Sequence, residues 1–285
     1  MRIAISNIAW EPSEDEAVAA LLQANDVDAI DIAHPKYFAD VRKASDADVQ
    51  RVRTFWADRG IAITGMQSLL FGTTGLNLFG RAEVQQAMLS HLAQVCRIGF
   101  GLGATRLVFG SPKNRDRTGL SDERAHQIAV PFFEQLAAIA EQAGVVVCLE
   151  PNPPRYGCNF MTTSAETAAI VVQVGHPGIR MQLDIGALAI NGETAQQVVR
   201  AFGPLIGHVH ASEPGLGVLG QPDRGDDPSP SADHLAAGRA IAAALPAHVV
   251  TIEMLATQDR PHAAAIAAAL DVAIAAYRTP FGANR

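Results

Sequence analysis

Positive charge is scarce in this sequence. Lysine and arginine total 22 residues against 29 aspartate and glutamate residues, which gives a net charge of −7, and no block of basic residues occurs. Proteins that bind nucleic acid gain much of their affinity by neutralising phosphates with Lys and Arg side chains. We therefore expect no nucleic-acid partner.

Cysteine and long apolar runs are also scarce. The three cysteines, Cys96, Cys148 and Cys158, form an odd set without the pair spacing of a metal site, and two of them lie in apolar segments. Such a set favours a reducing cytoplasm over a secreted, disulfide-bonded protein. No apolar run reaches about 18 residues, and the start of the chain shows no signal-peptide cleavage site. We expect no membrane partner.

The sequence does contain eight short apolar segments of strand length. They cover residues 2–10, 27–35, 61–69, 105–112, 144–151, 179–187, 206–214 and 248–255. Between them lie segments with the apolar spacing of amphipathic helices, several of which begin at a capping Ser or Asp. The clearest of these segments cover residues 13–25, 82–100, 122–144 and 164–175.

Alternating strands and helices predict an α/β fold with a parallel sheet, because each crossover helix covers strands that are apolar on both faces. Eight such units in 285 residues predict a (β/α)8 TIM barrel, one domain over residues 1–285. An open doubly wound sheet is the alternative, but it would normally carry a G-x-G-x-x-G turn where this chain has EPSEDE. The irregular segment 215–233 follows the seventh strand, where a barrel carries an active-site loop or lid.

The last four predicted strands each end in a residue that can bind a metal ion. We call these residues the ligand cluster: Glu150, Asp184, His210 and Glu253. In a TIM barrel such strand ends meet at the mouth, where chemistry takes place. Three carboxylates and an imidazole would repel one another and lose hydration there unless a cation neutralised them. We predict a divalent ion, Mn²⁺, Mg²⁺, Co²⁺ or Zn²⁺. The simpler alternative is that each acid caps a helix or pairs with a loop arginine.

Four segments carry the ligand cluster on successive strands: LEPNP, QLDIGA, HVHASEP and TIEML. In this order the chain resembles the xylose-isomerase-like barrel superfamily of sugar isomerases and epimerases, inosose dehydratases and endonuclease IV. The resemblance implies that the ligand cluster holds one divalent ion. It also implies that Glu150 and Glu253 exchange protons with a sugar.

The residue types support the same chemistry. Removing a proton from a carbon next to a carbonyl creates an enediolate, whose charge a divalent ion can stabilise. Two carboxylates beside the substrate, with Glu150 and Glu253 as the catalytic candidates, can return the proton to the other face or to the neighbouring carbon. We predict a metal-dependent isomerase or epimerase of a small sugar, sugar phosphate or polyol.

Two departures from the ketose epimerases keep other functions open. Those enzymes usually carry a His where this chain has Ala187, and often an Arg shortly after the strand-seven histidine, where this chain has ASEPGLG. An inosose-type dehydratase would use the same metal site. A non-catalytic sugar-binding barrel would keep the acids for a structural cation. Endonuclease activity is disfavoured because the early strands offer almost no histidine apart from His34.

Four more polar residues are candidate substrate contacts. Lys113 lies in the basic segment GSPKNRDR after the fourth strand and can bind a phosphate or carboxylate, with a solvated charged loop as the alternative. Asn152 follows the fifth strand and can donate to sugar hydroxyls, although Asn is also common in Pro/Gly turns. Asp31 lies near the end of the second strand and can join the polar mouth, with a contact to the second helix or a loop as its alternative. His208 shares a strand face with His210, and an interior hydrogen-bonded position is its alternative. Barrels of this type often form dimers or tetramers, so a homo-oligomer is also an expectation.

Overall fold

Eight parallel strands close into a ring in the order β1 to β8, in a computed structural model that describes residues 1–221 and 231–278. The ring closes where β1 pairs with β8, from Arg2 opposite Val249 to Ile5 opposite Ile252. This confirms the predicted (β/α)8 TIM barrel. The strands are β1 Arg2–Ser6, β2 Ala29–Ala33, β3 Ala62–Gln67, β4 Arg106–Phe109, β5 Val146–Leu149, β6 Ile179–Asp184, β7 Ile206–Ser212 and β8 Val249–Glu253.

Helices follow the strands and cover the outside of the barrel. They are α1 Asp15–Ala24, α2 Asp46–Ala57, α3 Ala82–Leu102, α4 Asp122–Ala143, α5 Ser164–Val174, α6 Ile185–Asn191, α7 Ala195–Phe202, α8 His234–Ala244 and α9 His262–Ala273. Ser121 and Thr163 accept hydrogen bonds from the first turns of α4 and α5. Gly144 and Gly175 end the same helices in the left-handed conformation, which costs glycine little.

The strands are shorter than the apolar segments that predict them. β4 and β5 have four residues each, and the residues that follow them in each segment, 110–112 and 150–151, line the mouth. Glu150 lies directly after β5, yet its N–H still donates to the carbonyl of Phe109 at 3.1 Å. This bond extends the sheet by one residue and holds Glu150 at the rim of the barrel.

The apolar core lies between the strands and the helices, as the two-sided apolar segments predict. Trp10 packs edge-on against Trp56 of α2, with 6.2 Å between the ring centroids, and Phe109 of β4 packs in the same way against Phe133 of α4 at 5.5 Å. All four rings are almost completely buried. Among the described residues, no helix has the length and apolarity needed to cross a bilayer. Of the segment 215–233 that we predict to be a loop or lid, residues 222–230 lie outside the described part.

Candidate metal centre

The ligand cluster converges at the C-terminal mouth of the barrel. Each of its four residues offers one ligand atom, and these atoms lie within 4.8 Å of one another. Nδ1 of His210 is 3.1 Å from Oε2 of Glu253 and 3.8 Å from Oε1 of Glu150. Strand register explains the convergence, because Asp184 of β6 lies directly opposite His210 of β7. Four donors this close can coordinate one ion.

Asp184 is held in place by the start of α6. Its Oδ1 accepts a hydrogen bond from the N–H of Ala187 at 2.6 Å, and its Oδ2 accepts one from the hydroxyl of Ser212 at 2.7 Å. The hydroxyl oxygen of Ser212 in turn accepts from the N–H of Gly186 at 2.9 Å. Asp184 therefore serves as a helix cap, as the simpler alternative proposed, and also joins the ligand cluster.

Two carboxamides hold the two glutamates of the cluster. Asn152 Nδ2 donates to Oε2 of Glu150 at 3.0 Å, and Gln67 Nε2 donates to Oε1 of Glu253 at 2.6 Å. The other oxygen of each glutamate faces His210. Each carboxylate thus has one oxygen turned toward the shared ion position and one fixed by an amide.

The cluster carries more negative charge than its surroundings compensate. Burial, together with the charges of Glu253 and Asp184, raises the pKa of Glu150 to about 8. Burial and the charge of Glu253 raise the pKa of Asp184 to about 6. Burial opposes the charge on His210, yet Glu253 and the nearby carboxylates hold its pKa well above the ordinary value. The donor set therefore attracts protons near neutral pH, and a divalent cation would satisfy the same demand.

A cavity of about 410 Å³ opens above the ligand cluster. Lys113 and Asn152 line it, as does Ala187 at the position where the resemblance implies histidine. Lys113 is exposed, and its ammonium group donates to the Thr73 carbonyl at 3.4 Å. Two of the four predicted substrate contacts therefore lie on the cavity wall.

The other two predicted substrate contacts, Asp31 and His208, lie beneath the ligand cluster and do not line the cavity. Oδ2 of Asp31 is 2.6 Å from Nε2 of His208, and both side chains are buried. Burial opposes the ionisation of Asp31, but His208 and His210 hold its pKa well below the ordinary value. His208 occupies the interior position that the sequence left as its alternative.

Sequence reasoning missed Gln67 and the orientation of Arg115. Gln67 ends an apolar segment on β3, as the ligand residues end theirs, and this was the available signal. Arg115 belongs to the predicted basic loop, but its guanidinium is fully buried and donates to the Glu150 carbonyl at 2.7 Å. Arg117 donates to the Asn159 carbonyl at 2.6 Å. Lys113 is the basic residue of this loop that lines the cavity.

A closed (β/α)8 barrel with an acidic, histidine-containing cluster at its C-terminal mouth defines a TIM-barrel protein with a candidate metal centre. The family described as the xylose isomerase-like TIM barrel matches residues 19–271, and the chain belongs to this family. The family resemblance drawn from the ligand cluster is thereby confirmed.

Individual relatives match less of the chain. A human protein named, provisionally, hydroxypyruvate isomerase is 31% identical over 157 residues, which is 51% of this chain and 52% of the relative. The D-psicose 3-epimerase of Agrobacterium fabrum is 30% identical over 187 residues, 64% of this chain and 63% of the relative. The chain spans about half the length of the human and mouse hydroxypyruvate isomerase relatives it matches.

A solved structure matches nearly the whole fold. The D-psicose 3-epimerase of Clostridium cellulolyticum H10, determined with D-tagatose, superposes with a TM-score of 0.76 and 20% identity over 97% of this chain and 99% of the other. At this identity the likeness shows the barrel fold.

Proposed function

We propose that the protein is a divalent-metal-dependent isomerase or epimerase of a small sugar, sugar phosphate or polyol. The observation that carries the proposal is the approach of four ligand atoms to within 4.8 Å below a cavity of about 410 Å³. The named activities of the relatives, hydroxypyruvate isomerase and D-psicose 3-epimerase, support the same reaction class. Both convert a hydroxy-carbonyl compound into an isomer.

The residues present fit a divalent ion. The cluster offers three carboxylates and one imidazole, the oxygen-rich set that Mn²⁺, Mg²⁺ or Co²⁺ accepts and that Zn²⁺ tolerates. When bound, the ion would act as a Lewis acid toward the substrate carbonyl and offset the charge of the enediolate. The raised pKa values of Glu150 and Asp184 support a cationic occupant, since burial and the neighbouring carboxylates outweigh the compensation that His210 gives them.

Glu150 and Glu253 are the proposed catalytic residues. They follow β5 and end β8, so they approach the cavity from different sides of the ring. A proton removed by one carboxylate from a substrate between them can be returned by the other to the opposite face, which is epimerisation, or to the neighbouring carbon. Asn152 and Gln67 keep the two carboxylates oriented for this exchange.

Lys113 and Asn152 are the proposed substrate contacts on the cavity wall. The ammonium of Lys113 suits a carboxylate or phosphate on the substrate, and the amide of Asn152 suits a hydroxyl. Ala187 provides no polar group at its position, so this wall of the cavity accepts an apolar or small part of the substrate.

The deciding experiment combines metal analysis with solvent deuterium exchange. In deuterated water, wild-type protein with Mn²⁺ should catalyse the incorporation of solvent deuterium into hydroxypyruvate or into a ketose from a panel. Apart from the mass of the label, product and substrate should have the same mass. Glu150→Gln and Asp184→Asn should lose both activity and bound metal. Full activity in metal-stripped protein would contradict the proposal. Loss of 18 Da from the substrate would identify a dehydratase, and binding without exchange would identify a sugar-binding barrel.

A further inference from the structure

His210 is buried with its two ring nitrogens in different surroundings. Nδ1 faces the carboxylates of Glu253 and Glu150. Nε2 faces the opposite way, has no hydrogen-bond partner within residues 1–221 and 231–278, and has Oδ2 of Asp31 at 3.9 Å. The nitrogen available to a metal ion is therefore Nδ1, and the one turned toward Asp31 is Nε2.

Asp31 is fixed from several sides. The Thr64 hydroxyl donates to its Oδ1 at 3.0 Å, and Nε2 of His208 lies 2.6 Å from its Oδ2. The β3 strand leaves space for this carboxylate only because residue 65 is glycine. A Cβ atom on Gly65 would lie 2.4 Å from Oδ2 of Asp31. The side chain is thus held at one position below His210.

A histidine that binds a metal through Nδ1 must carry its proton on Nε2. A carboxylate facing Nε2 favours that tautomer and orients the ring, as second partners of metal-bound histidines commonly do. Shortening the 3.9 Å separation to a hydrogen bond of about 3 Å needs a shift of roughly one ångström, and Nε2 has no hydrogen bond to another described residue that would oppose this shift.

We propose that Asp31 is a positioning residue that holds His210 in the tautomer able to bind the metal ion through Nδ1. This role rests on the proposed metal-dependent function. A second metal site at Asp31, His208 and His210 is disfavoured, because Asp31 and His208 are in hydrogen-bond contact at 2.6 Å and no space for a cation remains between those two atoms.

The test measures Mn²⁺ affinity by titration calorimetry and the Co²⁺ absorption spectrum of the loaded protein. Asp31→Asn keeps the shape of the side chain and removes its charge, so Mn²⁺ affinity should fall about 10–100-fold and the Co²⁺ bands should shift. Asp15→Asn is the matched control. Asp15 is also a buried aspartate that accepts two side-chain hydrogen bonds, from Trp10 and Tyr37, and it is not part of the ligand cluster. This variant should bind both ions as the wild type does.

Gly65→Ala provides a second, independent variant, because it displaces the Asp31 carboxylate without removing its charge. It should also weaken Mn²⁺ binding and shift the Co²⁺ bands. Wild-type affinity and an unshifted spectrum in a folded Asp31→Asn or Gly65→Ala protein would overturn the positioning role and leave the proposed function intact. A wild-type protein that binds neither ion would overturn both. A purely structural role would lower the thermal midpoint and leave the Co²⁺ spectrum unchanged.

Discussion

Gln67 Nε2 lies 2.6 Å from Oε1 of Glu253, a hydrogen bond that joins the end of β3 to the end of β8 across the barrel mouth. The bond fixes the side of Glu253 that does not face His210. A catalytic carboxylate held in this way keeps one orientation toward the substrate. Its geometry therefore depends on a residue outside the ligand cluster.

Gln67→Leu should lower kcat by about 10–100-fold while the protein keeps its bound metal. Glu253 would still reach the ion through Oε2 but would lose its orientation, and a misplacement of about 1 Å can cost about 100-fold in rate. Gln23→Leu is the control, since Gln23 also donates one side-chain hydrogen bond, to the Arg59 carbonyl at the surface. Steady-state kinetics and metal analysis check both variants, and an unchanged kcat in Gln67→Leu would refute the role.

Gly110→Ala should disable the site through Glu150. A Cβ atom at Gly110 would lie 2.0 Å from Oε2 of Glu150, the oxygen that Asn152 holds, so the carboxylate must leave its position. We expect weaker metal binding and at least tenfold lower activity, of the order that misplaced catalytic groups show. Gly203→Ala is the control because its nearest neighbour would be Val199 at 3.9 Å. Equal activity in the two alanine variants would contradict the expectation.

Glu150→Gln should make the metal-free protein more stable at alkaline pH. The folded-state pKa of Glu150, about 8, lies above its ordinary 4.5, so the folded protein holds a proton that the unfolded chain has released. Wild-type stability from this group is present below about pH 4.5 and is lost as the pH rises through 8. Gln does not titrate, so the melting temperature of the variant relative to wild type should rise by roughly 2–4 °C or more between pH 5.5 and 8.

Melting curves recorded with a chelator check that difference. Glu83→Gln, at an exposed position near the start of α3, is the control and should follow the wild type. Parallel curves for Glu150→Gln and wild type would show that Glu150 does not carry the pH dependence.

Metal affinity should rise between pH 6 and pH 8. Ion binding must displace protons from three ligands. The pKa of Glu150 is about 8, that of Asp184 is about 6, and that of His210 is raised above its ordinary value. Calorimetry in two buffers of different ionisation enthalpy should detect protons released at pH 7. A pH-independent affinity with no proton release would count against the ligand cluster as the binding site.

Lys113→Met should discriminate between substrate classes. If the substrate carries a carboxylate or phosphate, KM should rise about tenfold, equivalent to about 1.4 kcal/mol, while a neutral ketose should be unaffected. Lys43→Met removes a charge from an exposed position that does not line the cavity and should change neither value. Comparing KM for hydroxypyruvate and a neutral ketose tests this, and equal effects on both would exclude a charge-specific contact.

The strand and helix pattern was readable in the sequence because each element leaves a local periodic signal. Eight apolar segments correspond to the eight strands, and the apolar spacing places α1, α3, α4 and α5 within two residues of their ends. The exact ends of the strands could not be predicted from the sequence in this way. Hydrogen bonding between neighbouring strands decides where a strand stops, and β4 and β5 are each four residues long.

The candidate site residues also fall into two groups, those identifiable from the sequence and those whose position only the structure shows. The sequence identifies the ligand cluster because a polar residue at the end of a buried barrel strand lies at the mouth. Asp31 and His208 carry the same local signal, yet the structure places them one layer deeper, where they face each other across the ring. Arg115 turns inward although its sequence neighbours indicate a solvated loop.

By itself, the sequence determined the barrel, the order of the four ligand residues and their shared edge, because alternation and periodicity act between near neighbours along the chain. Tertiary structure alone decided which amide holds which carboxylate, and that the guanidinium of Arg115 turns inward to the Glu150 carbonyl. Those contacts join residues up to 186 positions apart, as in Gln67 and Glu253. Their geometry depends on the curvature and register of the closed ring, which no local stretch of sequence encodes.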